Sequence, residues 1–291
     1  MTRIRGTLAI LLAASIWGGT FPLIKAALAD ITPLTFNGIR FGAAAVLLLP
    51  ALRRLDRRAL GAGVIIGGFL SIGFAVQTIG LETISPSRSA FLTSLYAPLT
   101  PLVAMLLGGP RPGPRAMAAV ATALGGTLLL TGAWQGWAGG LAAGDWLTVL
   151  CALCFAIQIV MVDRYSARYS LGSLQLAQVL GAGLVAVPLA PWFESPAAHW
   201  TPLVIIALIV EVLFATLLCL WLQLAGQRVI GPTQAAVIFA VEPVVAAAAS
   251  RLTLGEGLEG MQWVGAALIL AALLLPGLAP TKDETAELPA G

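Results

Sequence analysis

Hydrophobic residues in this chain fall into ten runs, each close to the length that crosses a bilayer. In the first half they cover Thr7 to Ala29, Leu34 to Leu52, Leu60 to Gly80, Pro86 to Leu107 and Arg115 to Ala133. In the second half they cover Trp146 to Val162, Leu171 to Leu189, Pro202 to Ala225, Pro232 to Leu252 and Met261 to Leu278. A hydrocarbon core of ~30 Å is crossed by ~20 helical residues, and none of the runs alternates with the period of two that a barrel strand requires. Lipid offers the backbone no hydrogen-bond partner, so long apolar runs without alternation are expected as helices. The pattern leaves no room for a water-soluble domain and predicts an all-α membrane protein of ten transmembrane helices.

Only 10% of the 291 residues are charged, against a usual ~25% in soluble domains. The surplus of +3 is small and its arginines sit in short loops, so the basic balance reads as membrane topology and not as nucleic-acid binding. With the N-terminus in the cytoplasm, 12 of the 16 positive residues fall on the cytoplasmic side: Arg3, Arg5, Arg53, Arg54, Arg57, Arg58, Arg111, Arg115, Arg164, Arg168, Arg228 and Lys282. Lys25, Arg40, Arg88 and Arg251 fall toward outer ends, where long side chains are expected to snorkel to the interface. Six of the eight tryptophans (Trp134, Trp137, Trp146, Trp192, Trp200 and Trp263) then mark an aromatic belt on the outer side. Both termini are expected in the cytoplasm. Arg3, Arg5 and the small residues Ala27-Leu28-Ala29 imitate a cleavable leader. The interruption at Trp17-Gly18-Gly19-Thr20-Phe21-Pro22 and the place of this run in a repeat favour a retained span.

The repeat appears when the chain is slid along itself. A shift of 138 places Gly6 on Gly144, Trp17 on Phe155 and Pro50 on Pro188; a shift of 146 then places Gln77 on Gln223 and Tyr96 on Glu242. Each half holds five runs, an odd number, so the second half enters the membrane with opposite polarity. The expected architecture is two inverted five-helix repeats, residues 1–137 and 138–280, around a central cavity, followed by a disordered cytoplasmic tail at 281–291. Inverted repeats give a site at the midplane that opens to either side as one bundle rocks against the other.

Polar residues inside the runs are the candidates for that site, since a charge at a helix centre costs ~2.5 to 3.5 kcal/mol on insertion scales. Glu242 lies at the centre of its run beside Pro243. Its two readings are a protonatable group at the central site and a structural partner. Glu211 is similar, with no polar counterpart in the other half. Ser89, Thr93, Tyr96 and Thr100 recur at helical spacing and share one face, either lining a cavity or bonding to their own helix carbonyls. Gln77 and Gln223 are expected toward opposite membrane surfaces, flanking exit paths or bonding between helices. Trp17 and Phe21 share a face of the first run, and Gln158 is central in the sixth. Aromatic walls with amide groups suit an amphipathic organic solute. The expected substrate-binding set is therefore Trp17, Phe21, Gln77, Thr93, Tyr96, Gln158 and Glu242. Asn37 and Arg40 share a face of the second run, where a structural pair or snorkelling competes with an orienting role.

Catalytic and cofactor signatures are missing. Cys151 and Cys154 form a C-x-x-C inside an apolar run, His199 stands alone in a loop, and G-x-x-x-x-G-K does not occur. No cofactor, metal or ATP drive is implied. Gly38-x-x-x-Gly42 and Gly63-x-x-x-Gly67 are expected to allow close helix packing.

The ten runs, the five-plus-five repeat, Trp17-Gly-Gly-Thr-Phe-Pro22, Asn37-Gly-Ile-Arg-Phe41 and Glu242-Pro243 followed by Leu254-Gly255-Glu256 together resemble the EamA type of the drug/metabolite transporter superfamily, across roughly residues 6 to 279. The first half departs from that pattern with Gly108-Gly109-Pro110 in place of a second Leu-Gly-Glu turn. The resemblance implies a secondary carrier, functional as a single chain in a bacterial inner membrane, exporting amino acids or similar small metabolites. It also implies a cavity built from the first, third, fourth, sixth, eighth and ninth helices. Protons exchanging at Glu242 are a candidate coupling ion, although downhill export needs no titrating group. A multidrug or cation efflux carrier, an uptake permease, and a membrane scaffold or intramembrane enzyme are the alternatives.

Overall fold

The computed structural model of the protein describes residues 1–109, 111, 113–131, 142–239 and 241–274. Trp134, Trp137, Lys282 and the 281–291 tail lie outside the described residues. Within them the regular structure is helical, with one isolated bridge between Ile31 and Ala198. In chain order the helices are α1 (Arg3–Ala27), α2 (Pro33–Leu48), α3 (Ala59–Leu81), α4 (Pro86–Thr93), α5 (Tyr96–Leu106), α6 (Pro114–Thr131), α7 (Ala143–Ser166), α8 (Leu171–Phe193), α9 (Pro202–Val210), α10 (Cys219–Phe239), α11 (Val241–Leu254) and α12 (Met261–Leu274). A 3-10 turn, Leu49–Arg54, extends α2, and a π-helical segment, Glu211–Leu218, joins α9 to α10. Seven helical stretches are long and apolar enough to cross a membrane, and Val120–Leu130 and Met261–Ala272 are shorter apolar helices.

Proline and glycine set where the helices start and break. Pro33, Pro86 and Pro202 occupy first turns, where a missing N–H leaves no intrahelical bond unmade. The hydroxyls of Ser85, Ser170 and Thr201 accept from the N–H groups of Arg88, Ser173 and Val204, capping α4, α8 and α9. The fourth hydrophobic run is divided at Ser94–Leu95. Pro98 lacks the N–H that would bond to the Ser94 carbonyl, and Ala97 bonds to that carbonyl instead, at 3.0 Å. Gly231, with φ of +76°, interrupts α10 just before Pro232, so the eighth and ninth runs meet at a residue for which the left-handed region carries no Cβ penalty.

Burial is inverted relative to a soluble protein. Large apolar side chains such as Leu184, Leu106 and Trp192 are exposed, while Arg40, Glu211, Asp145 and Glu242 are buried. Small residues let the helices that enclose the polar groups approach closely. A Cβ on Gly67 would lie 2.2 Å from the Gln178 carbonyl oxygen, and one on Gly63 would lie 2.2 Å from the Ala177 Cβ, both across the α3–α8 crossing. Gly18 is the equivalent on α1: its Cβ would sit 2.4 Å from the Glu242 carbonyl oxygen. That approach sets Trp17 next to Glu242.

A valine at Gly67 has to displace backbone atoms of α8, a strain of at least ~1 to 3 kcal/mol. Gly67→Val is expected to lower the melting temperature in detergent and reduce the monodisperse fraction, whereas Gly19→Ala, which meets open space, leaves both unchanged. Coincident melting of Gly67→Val and wild type would contradict the α3–α8 contact.

Candidate functional site

Two side chains far apart in the chain meet inside the bundle. Tyr96 is the first residue of α5, just after the break at Ser94–Leu95, and Glu242 lies in α11. The Tyr96 hydroxyl donates to Glu242 Oε2 at 3.0 Å, and both side chains are buried, at 3% and 6% exposure. They form part of a narrow cavity of about 40 Å³, room for a few water molecules. An organic solute would have to part the walls to enter.

The walls combine rings with amides. Trp17 packs against Phe239 with centroids 5.6 Å apart, Phe239 meets Tyr96 at 6.0 Å, and Phe74 meets Phe155 edge-on at 4.9 Å. The Trp17 indole Nε1 donates to the Ala215 carbonyl at 2.8 Å. Ala215 belongs to the π-helical segment, whose wider turn is of a kind common at functional sites. Gln223 Nε2 donates to Gln158 Oε1 at 3.1 Å, and Gln158 Nε2 returns a longer bond to Gln223 Oε1 at 3.4 Å. Gln77 Nε2 donates to the Thr93 hydroxyl at 3.0 Å.

Of the seven residues expected from sequence, Trp17, Phe21, Gln77, Tyr96, Gln158 and Glu242 line this one cavity. Thr93 lies behind it as the acceptor for Gln77. Gln77 and Gln223, expected toward opposite membrane surfaces, line the same cavity, and each bonds between helices, the second of the two roles open to them. The polar stripe of the fourth run is divided by the α4–α5 break: Thr100 turns back to the Tyr96 carbonyl at 2.7 Å. Phe74 and Phe239 went unrecognised as wall residues, since a phenylalanine within an apolar run carries no mark of which face it takes. Phe155 was visible only as the counterpart of Trp17.

A second polar cluster sits behind the Phe74 wall. Arg40 Nη1 pairs with Glu211 Oε2 at 2.8 Å, each side chain 1% exposed, and Arg40 Nε donates to the Thr216 hydroxyl at 2.7 Å. The guanidinium carbon lies 4.1 Å from the Phe74 ring centroid and 5.1 Å from that of Phe41, two rings that are themselves in contact, a pair of cation–π contacts. Arg40 therefore does not snorkel. The π-helical segment brings a carboxylate to it, and closing an ion pair indoors removes the need to reach water. Arg88, partly exposed, holds the fully buried Asp145 through Nε–Oδ1 and Nη2–Oδ2 contacts of 2.6 Å each.

At that end of the bundle Lys25 Nζ donates to the Leu81 and Glu82 carbonyls at 2.7 and 2.9 Å, favourable at a helix C-terminus. Burial and the Glu194 carboxylate hold Glu82 above the usual carboxylate range, against the pull of Lys25. Glu194 accepts from the N–H groups of Leu34 and Thr35 at 3.2 and 2.6 Å, placing a carboxylate on the N-terminus of α2. Cys151, Cys154 and Cys219 are free and buried. Among the described residues no group of three or more His, Cys, Asp or Glu side chains could hold a metal ion.

Sequence comparison places residues 4–132 and 142–277 in the EamA-like transporter family. An uncharacterised transporter of Archaeoglobus fulgidus is 33% identical over 95% of this chain and 87% of its own. A "probable amino-acid metabolite efflux pump" of Escherichia coli is 26% identical over 94% of this chain and 95% of its own. An uncharacterised inner membrane transporter of the same species is 26% identical over 89% and 86%. One crystal structure superposes with a TM-score of 0.69 over 95% of this chain and 98% of that one, at 18% identity, a likeness of fold alone.

Breaking the Arg40–Glu211 pair from one side strands a buried charge. Arg40→Met or Glu211→Leu alone is expected to lose ~3 to 5 kcal/mol, and the double variant to recover most of it. Equilibrium unfolding in mixed micelles measures the cycle; additive single losses would mean that the two side chains do not interact.

Proposed function

The chain belongs to the EamA-like transporter family, and we propose that it works as an alternating-access exporter of amino acids or similar small metabolites, built as two inverted repeats of five spans. The observation that carries this reading is a cavity lined from both halves by residues that the repeat relates. Trp17 and Phe155 are 138 apart; Gln77 and Gln223, like Tyr96 and Glu242, are 146 apart; all six side chains face the same space. Residues exchanged by a two-fold axis can touch only near that axis. The Tyr96–Glu242 hydrogen bond therefore supports an axis through the cavity, where inverted repeats put their site.

The remaining spans follow from the runs. α4 with α5 makes the fourth, α6 the fifth, the part of α10 after Gly231 with α11 the ninth, and α12 the tenth. Residues 1–137 and 138–280 are the two repeats, and an even number of spans returns the chain to the side on which it began. The positive residues assign that side to the cytoplasm. Rings around a few amides and one carboxyl suit a small amphipathic solute, and the similarity to an amino-acid metabolite efflux pump favours that class. Glu242 is the carboxyl that faces the cavity, hence the position where a coupling proton would exchange.

Two measurements test the reading. Single cysteines introduced at Thr2 and Ala290 are expected to label only from the cytoplasmic side, against native cysteines that are all buried; labelling on opposite sides would rule out ten spans. Purified protein in liposomes is expected to support counterflow of a labelled amino acid or derivative, with Trp17→Ala slowing it by about tenfold or more, the loss of ~1.4 kcal/mol of binding. Absence of counterflow across amino acids, their amides and their amines would remove the transport reading. Repeating the assay at several pH values with Glu242→Gln separates coupled from downhill export: an unchanged rate and pH response would exclude coupling through Glu242.

A further inference from the structure

We infer that the cavity selects amines with an apolar or aromatic body whose carboxyl group is absent or neutralised, over free zwitterionic amino acids. The inference rests on the reading of this cavity as the transport site and concerns the charge of what enters it. Among the described residues the wall carries one charged side chain, Glu242, and no lysine, arginine or histidine. An ammonium group fits there. A carboxylate accepts several donors, and Tyr96 supplies one to Oε2. Trp17, Phe239 and Phe155 put aromatic rings, whose faces attract a cation, in the wall, and at low dielectric the pairing of ammonium with carboxylate is strengthened.

A substrate carboxylate meets the opposite conditions. Among the described residues the donors of the wall are neutral: Gln77 gives one amide N–H to Thr93, and Gln158 and Gln223 give one each to the other, with a second N–H on each amide but no positive charge. The buried Arg40 pairs through Nη1 with Glu211 and through Nε with Thr216, its Nη2 has no partner among the described residues, and Phe74, which itself forms the wall, lies between the guanidinium and the cavity. A zwitterion would thus bring its negative end into a small space already holding a carboxylate, with no positive group to receive it. Burying an unpaired charge is costly, and two carboxylates at close range repel. Amidation, esterification or loss of that carboxyl removes the conflict while the amine and side chain keep their partners.

The test compares phenylalaninamide and phenethylamine with phenylalanine and 3-phenylpropionate, by calorimetric binding to the full-length protein in detergent and by counterflow in liposomes. The amide and the amine are expected to bind at least about tenfold more tightly than phenylalanine, and 3-phenylpropionate not to bind. Glu242→Asp is expected to keep that ratio and Glu242→Gln to abolish it, with circular dichroism and gel filtration showing that each variant folds. Should Glu242→Gln fail to fold, the ratio in wild type and in Glu242→Asp decides. Equal or tighter binding of phenylalanine, absence of binding by both amine and amide, or a ratio that survives in folded Glu242→Gln overturns the inference. Binding with the expected ratio but without counterflow leaves the assigned selectivity standing and removes the transport reading instead.

Discussion

The charged and amide side chains around the cavity find partners inside the bundle without help from bulk water, and that constraint organises the rest of the structure. Lipid forces the backbone into helices, and the same absence of water forces polar side chains to meet. Arg40 meets Glu211, Arg88 meets Asp145, Gln158 meets Gln223 and Tyr96 meets Glu242. Each of these contacts joins segments distant in the chain, so satisfying them fixes how the helices cross. Glycine supplies the closeness: without Gly18 the backbone of α1 could not pass the Glu242 carbonyl, and without Gly67 the backbone of α3 could not pass that of Gln178.

The two polar clusters use this constraint differently. In the Arg40 cluster the guanidinium meets a carboxylate, a hydroxyl and aromatic rings; its Nη2 has no partner among the described residues, but its charge is balanced where it stands. The Glu242 cluster is open on one side to a cavity. Phe74 belongs to both, packing on the guanidinium and forming the wall, and so separates a neutralised pair from a carboxyl that has space in front of it. The indole of Trp17 ties the same cavity to the π-helical segment that carries Glu211. A shift of that segment would therefore be felt at the ion pair and at the cavity wall together.

Prolines stand beside both members of the Tyr96–Glu242 hydrogen bond. Tyr96 sits just inside a new helix after the break at Ser94–Leu95, with Pro98 two residues on, and Glu242 is followed directly by Pro243. Proline removes a hydrogen bond from the preceding turn, which lets the chain bend without losing a bond that lipid would make expensive to lose. Discontinuous helices of this kind are where transporters build binding sites.

Length and hydrophobicity along the chain were enough to mark an all-helical membrane protein, because in lipid a single segment satisfies its own backbone and needs no partner to be helical, but not the break at Ser94–Leu95 or the π-helical segment. The sequence alone also identified the polar residues that had to be sheltered, Glu242, Tyr96, Gln77, Gln158 and Gln223 among them, since each is out of place among apolar neighbours. Which of these share a cavity was decided by tertiary structure. The sequence left Arg40 between snorkelling and a structural pair, and Gln77 and Gln223 between exit paths and interhelical bonds, because position along a helix says nothing of rotation about its axis or of the neighbour it faces. Rotation and neighbour follow from where small residues let two helices approach and where prolines bend them. Phe74 and Phe239 are the limiting case: an aromatic in an apolar run is equally at home against lipid, in the core or on a cavity wall, and only packing chooses.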